Sequence, residues 1–114
     1  MARPVLPDAL ARREWLEQPL DATRALAVAE AYLAEDRAAE AVAFLSKAGA
    51  SERLRALREE AIRVGDAFLL KEIGRALGEE ATAEHWRRLR DAATAAGRAS
   101  YATEAQRQVD RLEA

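Results

Sequence analysis

His85 is the single histidine of this 114-residue chain, and Glu80 and Glu84 lie close to it in sequence. Imidazole and carboxylate groups bind metals and move protons. One histidine with helix-surface glutamates, however, does not make a ligand set fixed by spacing, and no orienting partner or pocket marks it as an acid–base group. A solvated histidine is the expectation. The acid pairs Glu59-Glu60 and Glu79-Glu80 read as structural. Glu79-Glu80 stands near a helix start, where negative charge is stabilising. Glu59 lies four residues from both Arg55 and Arg63, the spacing of helical ion pairs. The most basic run, Arg87-Arg88-Leu89-Arg90, fans around a helix at about 100° per residue and so does not build one basic face; Glu84–Arg88 and Arg87–Asp91 are the expected pairs. The serines are Ser46, Ser51 and Ser100, and neither a serine-nucleophile motif nor a glycine-rich phosphate loop is present. There is no cysteine, which excludes disulfides, zinc–cysteine sites and thiol catalysis. The expectation is a protein with no catalytic residues, no metal site and no cofactor, and therefore not an enzyme.

These side chains need elements to carry them, and composition points to helices. Half of the residues are hydrophobic, and alanine supplies about half of those, a choice that favours helix and lets backbones approach closely. Val, Ile, Thr and the aromatics are too few and too scattered for a sheet. Gly49, Gly65, Gly78 and Gly97 punctuate stretches of 3.6-residue apolar periodicity, so seven helices are expected. The first covers Asp8 to Glu17 and ends before Pro19. The second is capped by Asp21, with Ala22, Leu26, Ala29 and Leu33 as one stripe and Val28 and Tyr32 beside it. The third follows Asp36-Arg37, turns Ala41, Phe44, Leu45 and Ala48 inward and ends at Gly49. Ser51 caps the fourth, with Leu54, Leu57, Ala61 and Val64 inward. Asp66 caps the fifth, with Leu69, Leu70, Ile73, Ala76 and Leu77. The sixth presents Trp86, Leu89, Ala93 and Ala96, and the seventh Ala102, Ala105, Val109 and Leu112. Loops of two to four residues make consecutive helices antiparallel neighbours.

Charge is nearly balanced at a net -2, and arginine outnumbers lysine sixteen to two. The mild acidity argues against nucleic-acid binding. No apolar run reaches membrane-span length, and Met1 to Pro7 lack a signal-peptide apolar core, so a cytoplasmic protein is expected. Residues 1–20 form an N-terminal arm and capping helix, in which Leu10, Trp15 and Leu16 cover the open end of the first helix pair. Residues 21–114 form the rest of a single domain.

The segments leading into the turns, Ala34-Glu35-Asp36-Arg37, Arg63-Val64-Gly65-Asp66 and Ala95-Ala96-Gly97-Arg98, repeat. With Asp36, Gly65 and Gly97 in register the spacings are 29 and 32 residues, a length typical of helical-repeat arrays. The stretch Ala31 to Val42 resembles the centre of a tetratricopeptide repeat. Ala29 and Tyr32 match the small and aromatic positions of that motif's first helix, and Ala41, Leu45 and Ala48 match its second. A third repeat matches at Trp86, Leu89 and Ala102, with Arg90 departing. The middle one matches at Leu54, Leu57 and Ala61, with Arg58 and Gly74 departing. The motif's terminal proline is absent from all three. The resemblance covers residues 21–112.

The resemblance implies an all-α fold, a right-handed α-solenoid of about three antiparallel helix pairs with a short N-terminal helix, acting as a protein–protein interaction or scaffold module. A peptide or helix of a partner would lie in a concave face formed by Thr23, Leu26, Glu30 and Leu33, then Arg55, Glu59, Ile62 and Arg63, then Arg87, Asp91 and Thr94. The arginines favour an acidic segment. Trp15 and Tyr101, less constrained by packing, are candidates for an exposed anchor. Two alternatives stand beside this reading: a self-associating homodimer formed at an end helix, and a helical-bundle enzyme or small-molecule binder, which would need a pocket lined by polar groups.

Overall fold

The computed structural model describes residues 6–17 and 20–114. Among these residues every regular element is an α-helix: α1 (Ala9–Glu17), α2 (Ala22–Ala34), α3 (Ala38–Lys47), α4 (Ser51–Val64), α5 (Ala67–Leu77), α6 (Ala83–Ala95) and α7 (Ala99–Leu112). None is long and apolar enough to cross a membrane. The expected stop at Pro19 and most of the Met1–Pro7 reading lie outside the described residues. Three aspartates cap as carboxylates should. Asp8 accepts from Ala11 N–H at 2.8 Å, Asp21 from Arg24 N–H at 2.8 Å and Asp66 from Leu69 N–H at 3.0 Å. Ser51 is instead the first residue of α4, after Ala50, whose carbonyl accepts from Leu54 N–H.

From α2 to α6 each helix ends in the same way. One residue takes a left-handed conformation, and the next amide donates to the carbonyl five residues earlier, the pattern that satisfies orphan carbonyls at a helix end. The left-handed residues are Asp36, Gly49, Gly65, Gly78 and Gly97, with φ of 59°, 66°, 74°, 67° and 73°. The bonds run from Arg37 to Tyr32, Ala50 to Leu45, Asp66 to Ala61, Glu79 to Gly74 and Arg98 to Ala93, at 2.8–3.1 Å. Both kinds of turn recur: Asp36 to Gly65 and Gly49 to Gly78 are each 29 residues. The longer step of 32 from Gly65 to Gly97 has a local cause. α4 begins two residues after Gly49, whereas α6 begins five after Gly78, so the three additional residues lie in the Glu79–Thr82 loop.

The chain separates into two compact units, and the division falls inside α4 between Leu54 and Arg55. In the N-terminal unit α2 packs closely on α3, and α1 lies against α3. The Tyr32 and Phe44 rings, both fully buried, stack with centroids 5.7 Å apart, and the Arg37 guanidinium sits 4.8 Å from the Tyr32 centroid. Ala25, Ala29 and Ala41, also fully buried, keep the backbones close. Lys47 Nζ donates to the Leu16 carbonyl at 2.8 Å. This ties the leading segment to α3, with Trp15 and Leu16 half-buried but Leu10 exposed. The buried face of α2 is Ala25, Val28, Ala29, Ala31 and Tyr32, rotated from the expected stripe. Leu26 is exposed, Ala22 is exposed and Leu33 is half-buried. The large Tyr32 side chain sets the phase, and alanines on every side follow it.

In the C-terminal unit α6 packs closely on α7, and α7 also meets α5. Leu57, Ala61, Ile62, Leu70, Ile73, Trp86, Leu89 and Val109 form most of its core. Gln108 is buried as well, at 8% exposure. The backbone at Gly65 reaches α6 so closely that a Cβ there would stand 2.6 Å from Ala93 Cα, whereas a Cβ at Gly97 would meet nothing within 4 Å. Both glycines are left-handed, so alanine at either costs about 1–2 kcal/mol. Gly65→Ala adds a collision with backbone, about 1–3 kcal/mol further. Denaturant unfolding of the two variants is expected to show that difference; equal losses would mean that α4 and α6 do not approach as described.

Candidate functional site

The expected concave face divides by unit. On α2, Thr23, Leu26 and Glu30 are exposed and Leu33 is half-buried, and Glu30 is engaged by Arg53 Nε at 2.7 Å. In the C-terminal unit Glu59, Arg63, Asp91 and Thr94 are exposed, and Arg55 and Arg87 are half-buried. Ile62 is 2% exposed. It belongs to the core and is not available to a partner.

The charges on this α4–α6 surface are matched across elements more than along one helix. Arg55 Nη2 donates to Glu79 at 2.7 Å, and Arg58 lies 3.6 Å from the same carboxylate. Arg88 Nη2 donates to Glu59 at 2.9 Å. Arg87 reaches Glu84 at 3.5 Å and also pairs with Glu113. Arg90 takes Asp91 at 3.0 Å and Gln106 at 2.8 Å, and Arg63 takes Glu60 at 3.0 Å. The expected helical pairs of Glu59 with Arg55 and Arg63, of Glu84 with Arg88 and of Arg87 with Asp91 thus give way to other partners. These cations hold the carboxyls of Glu59 and Glu79 below the usual carboxylate range, chiefly through the Arg88 and Arg55 hydrogen bonds. Exposed pairs of this kind contribute little to stability, so an incoming carboxylate can exchange with them.

His85 has a structural task. Its Nδ1 accepts from Thr82 N–H at 3.0 Å, and Thr82 Oγ1 accepts from His85 N–H at 3.1 Å, a capping box at the start of α6. Among the described residues no group of three or more His, Cys, Asp or Glu side chains is placed to hold a metal. Tyr101 is half-buried beneath Arg98, 5.9 Å from its ring centroid.

A second feature escapes sequence reading. A cleft of about 400 Å³ opens in the C-terminal unit between α5, the Glu79–Thr82 loop, α6 and α7. Leu70, Ala81 and Trp86 form its apolar wall, and Lys71, Arg75, Glu80, Gln108 and Arg111 its polar part. Gln108 Nε2 donates to Glu104 at 2.9 Å, and Gln108 Oε1 accepts from Arg111 Nε at 2.9 Å. Glu104 also takes Arg107 and Lys71. These bonds, Arg107 first, then Lys71 and Gln108, hold the Glu104 carboxyl at about 2. One sequence signal pointed here: Gln108 lies between Ala105 and Leu112 on what is otherwise an apolar stripe.

No family model, curated protein or solved structure matches this chain.

Two pH effects are expected, one at Glu104 and one at His85. Glu104 is depressed on folding, so its contribution is complete above about 4.5 and disappears as pH falls toward about 2. Glu104→Gln is expected to destabilise by about 1–2 kcal/mol at neutral pH and to lack that acid dependence in denaturant titrations. His85 is depressed mainly by burial and then by Arg58. Its neutral form is favoured by folding, so its contribution is complete above about 6.5 and declines as pH drops below that value. An imidazole NMR titration midpoint at or above the ordinary value would contradict this burial of the ring beside Arg58.

Proposed function

We propose that this chain is a helical-repeat module that binds an acidic segment of a protein partner on the exposed α4–α6 surface of its C-terminal unit. The tetratricopeptide-like arrangement, with antiparallel helix pairs stacked as a right-handed solenoid, is part of the same proposal. The observation that carries it is the recurrence of one turn geometry at equal 29-residue spacing in both kinds of turn. A chain that repeats its supersecondary unit so closely builds its surface by repetition, which suits extended recognition of another chain. Arg55 and Arg87 supply the charge: both are held by surface carboxylates that a ligand's acidic groups can replace.

The test is site-specific photo-crosslinking in the native cell. A photoreactive residue at Arg63 or Thr94 is expected to trap the same partner. The same residue at the exposed positions Thr103 or Asp110 is expected not to trap it. Arg55→Ala with Arg87→Ala, both half-buried and outside the core, is expected to weaken capture of that partner and its acidic segment about tenfold. Equal labelling from all four positions, an adduct only with a second copy of the chain, or affinity unchanged by the double substitution would each reject the proposal.

A further inference from the structure

The cleft of the C-terminal unit exists because the repeat is broken. The three residues that lengthen the last spacing lie in the loop after α5, and that loop contributes Glu80 and Ala81 to the wall. The corresponding connection after α3, Gly49-Ala50-Ser51, has no such loop. The volume of about 400 Å³ falls within the range of small-molecule sites, roughly 300–1,000 Å³.

The walls carry two kinds of chemistry. Leu70, Ala81 and Trp86 are almost fully buried and give an apolar surface. The Trp86 indole Nε1–H is buried and has no hydrogen-bond partner among the described residues. The charged lining residues are three cations, Lys71, Arg75 and Arg111, against one carboxylate, Glu80. They are not equally available. Lys71 is committed to Glu104, whose side chain is only 23% exposed. Arg75 pairs with Glu72 and Arg111 with Glu80 in surface contacts, with the arginine side chains 74% and 51% exposed. Such contacts exchange readily. Buried Gln108 grips Arg111 Nε and so fixes one edge of that guanidinium.

We propose that this cleft binds a small organic anion, with its apolar or aromatic body on Leu70, Ala81 and Trp86 and its carboxylate or phosphate on Arg75 and Arg111. Glu80 occupies the anion's place on Arg111 and yields it on binding. The site is independent of the partner surface proposed above.

Three probes test this on the full chain by amide NMR: 1-naphthoate, 1-naphthyl phosphate and neutral 1-naphthalenemethanol. At least one anion is expected to bind saturably. It should shift the Trp86 indole N–H and the amides of Gly74 and Ala81, with the alcohol at least tenfold weaker. The tighter of the two anions identifies the head group. Arg75→Gln with Arg111→Gln is expected to weaken binding at least tenfold while leaving the remaining spectrum in place. Glu80→Gln is expected to tighten it severalfold, because it removes the competing carboxylate; a merely structural Glu80 would not give that gain. Lack of saturation at millimolar probe, shifts centred away from the cleft, equal binding of the alcohol, or indifference to both sets of substitutions would overturn the proposal.

Discussion

A helix that stops leaves carbonyls without donors, and this chain stops one helix and starts another five times between α2 and α7. Each time the amide after a left-handed residue returns to the carbonyl five positions back. That bond fixes where one helix ends and where the next begins. In three of the turns the acceptor residue, Tyr32, Ala61 or Ala93, is completely buried, and the following helix opens on an alanine, Ala38, Ala67 or Ala99. The closing bond is therefore shielded from water, and a small residue stands where the chain turns back toward its neighbour. Asp36 fills the left-handed place with a side chain that tolerates it better than most.

Within the C-terminal unit, near-neutral composition resolves into pairs joining residues far apart in sequence: Arg88 with Glu59, Arg55 with Glu79, Lys71 with Glu104, Arg111 with Glu80. Arginine suits this role because one guanidinium serves several acceptors. Arg111 contacts both Gln108 and Glu80, and Arg90 contacts both Asp91 and Gln106. The chain from Glu80 through Arg111 and Gln108 to Glu104 and Lys71 crosses from the loop to α7 and on to α5. It holds the cleft's polar side together by hydrogen bonds, while the opposite side rests on apolar packing.

The helices were legible in the sequence because glycine and aspartate mark their ends with specific backbone demands. The buried faces were less so. In α2 alanine occurs on every side, so apolar periodicity alone does not choose a face; the volume of Tyr32 and Val28 does. Ile62, read as a surface position, fills the core beside Ala61. Helical charge spacing failed for Glu59 because Arg88 of another helix reaches it. His85 was readable in hindsight: it stands three residues after Thr82, the spacing of a reciprocal cap. The cleft depends on residues from α5, a loop, α6 and α7, and only the 32-residue step and Gln108 within an apolar stripe hinted at it.

The two indoles are distributed one to each compact unit, Trp15 half-exposed in the first and Trp86 sealed in the second. Intrinsic fluorescence therefore carries separate optical signatures for the two parts of the molecule, a red-shifted emitter and a blue-shifted one. Replacing either indole by phenylalanine leaves a native dye that reports whether one unit melts before the other, with no label attached.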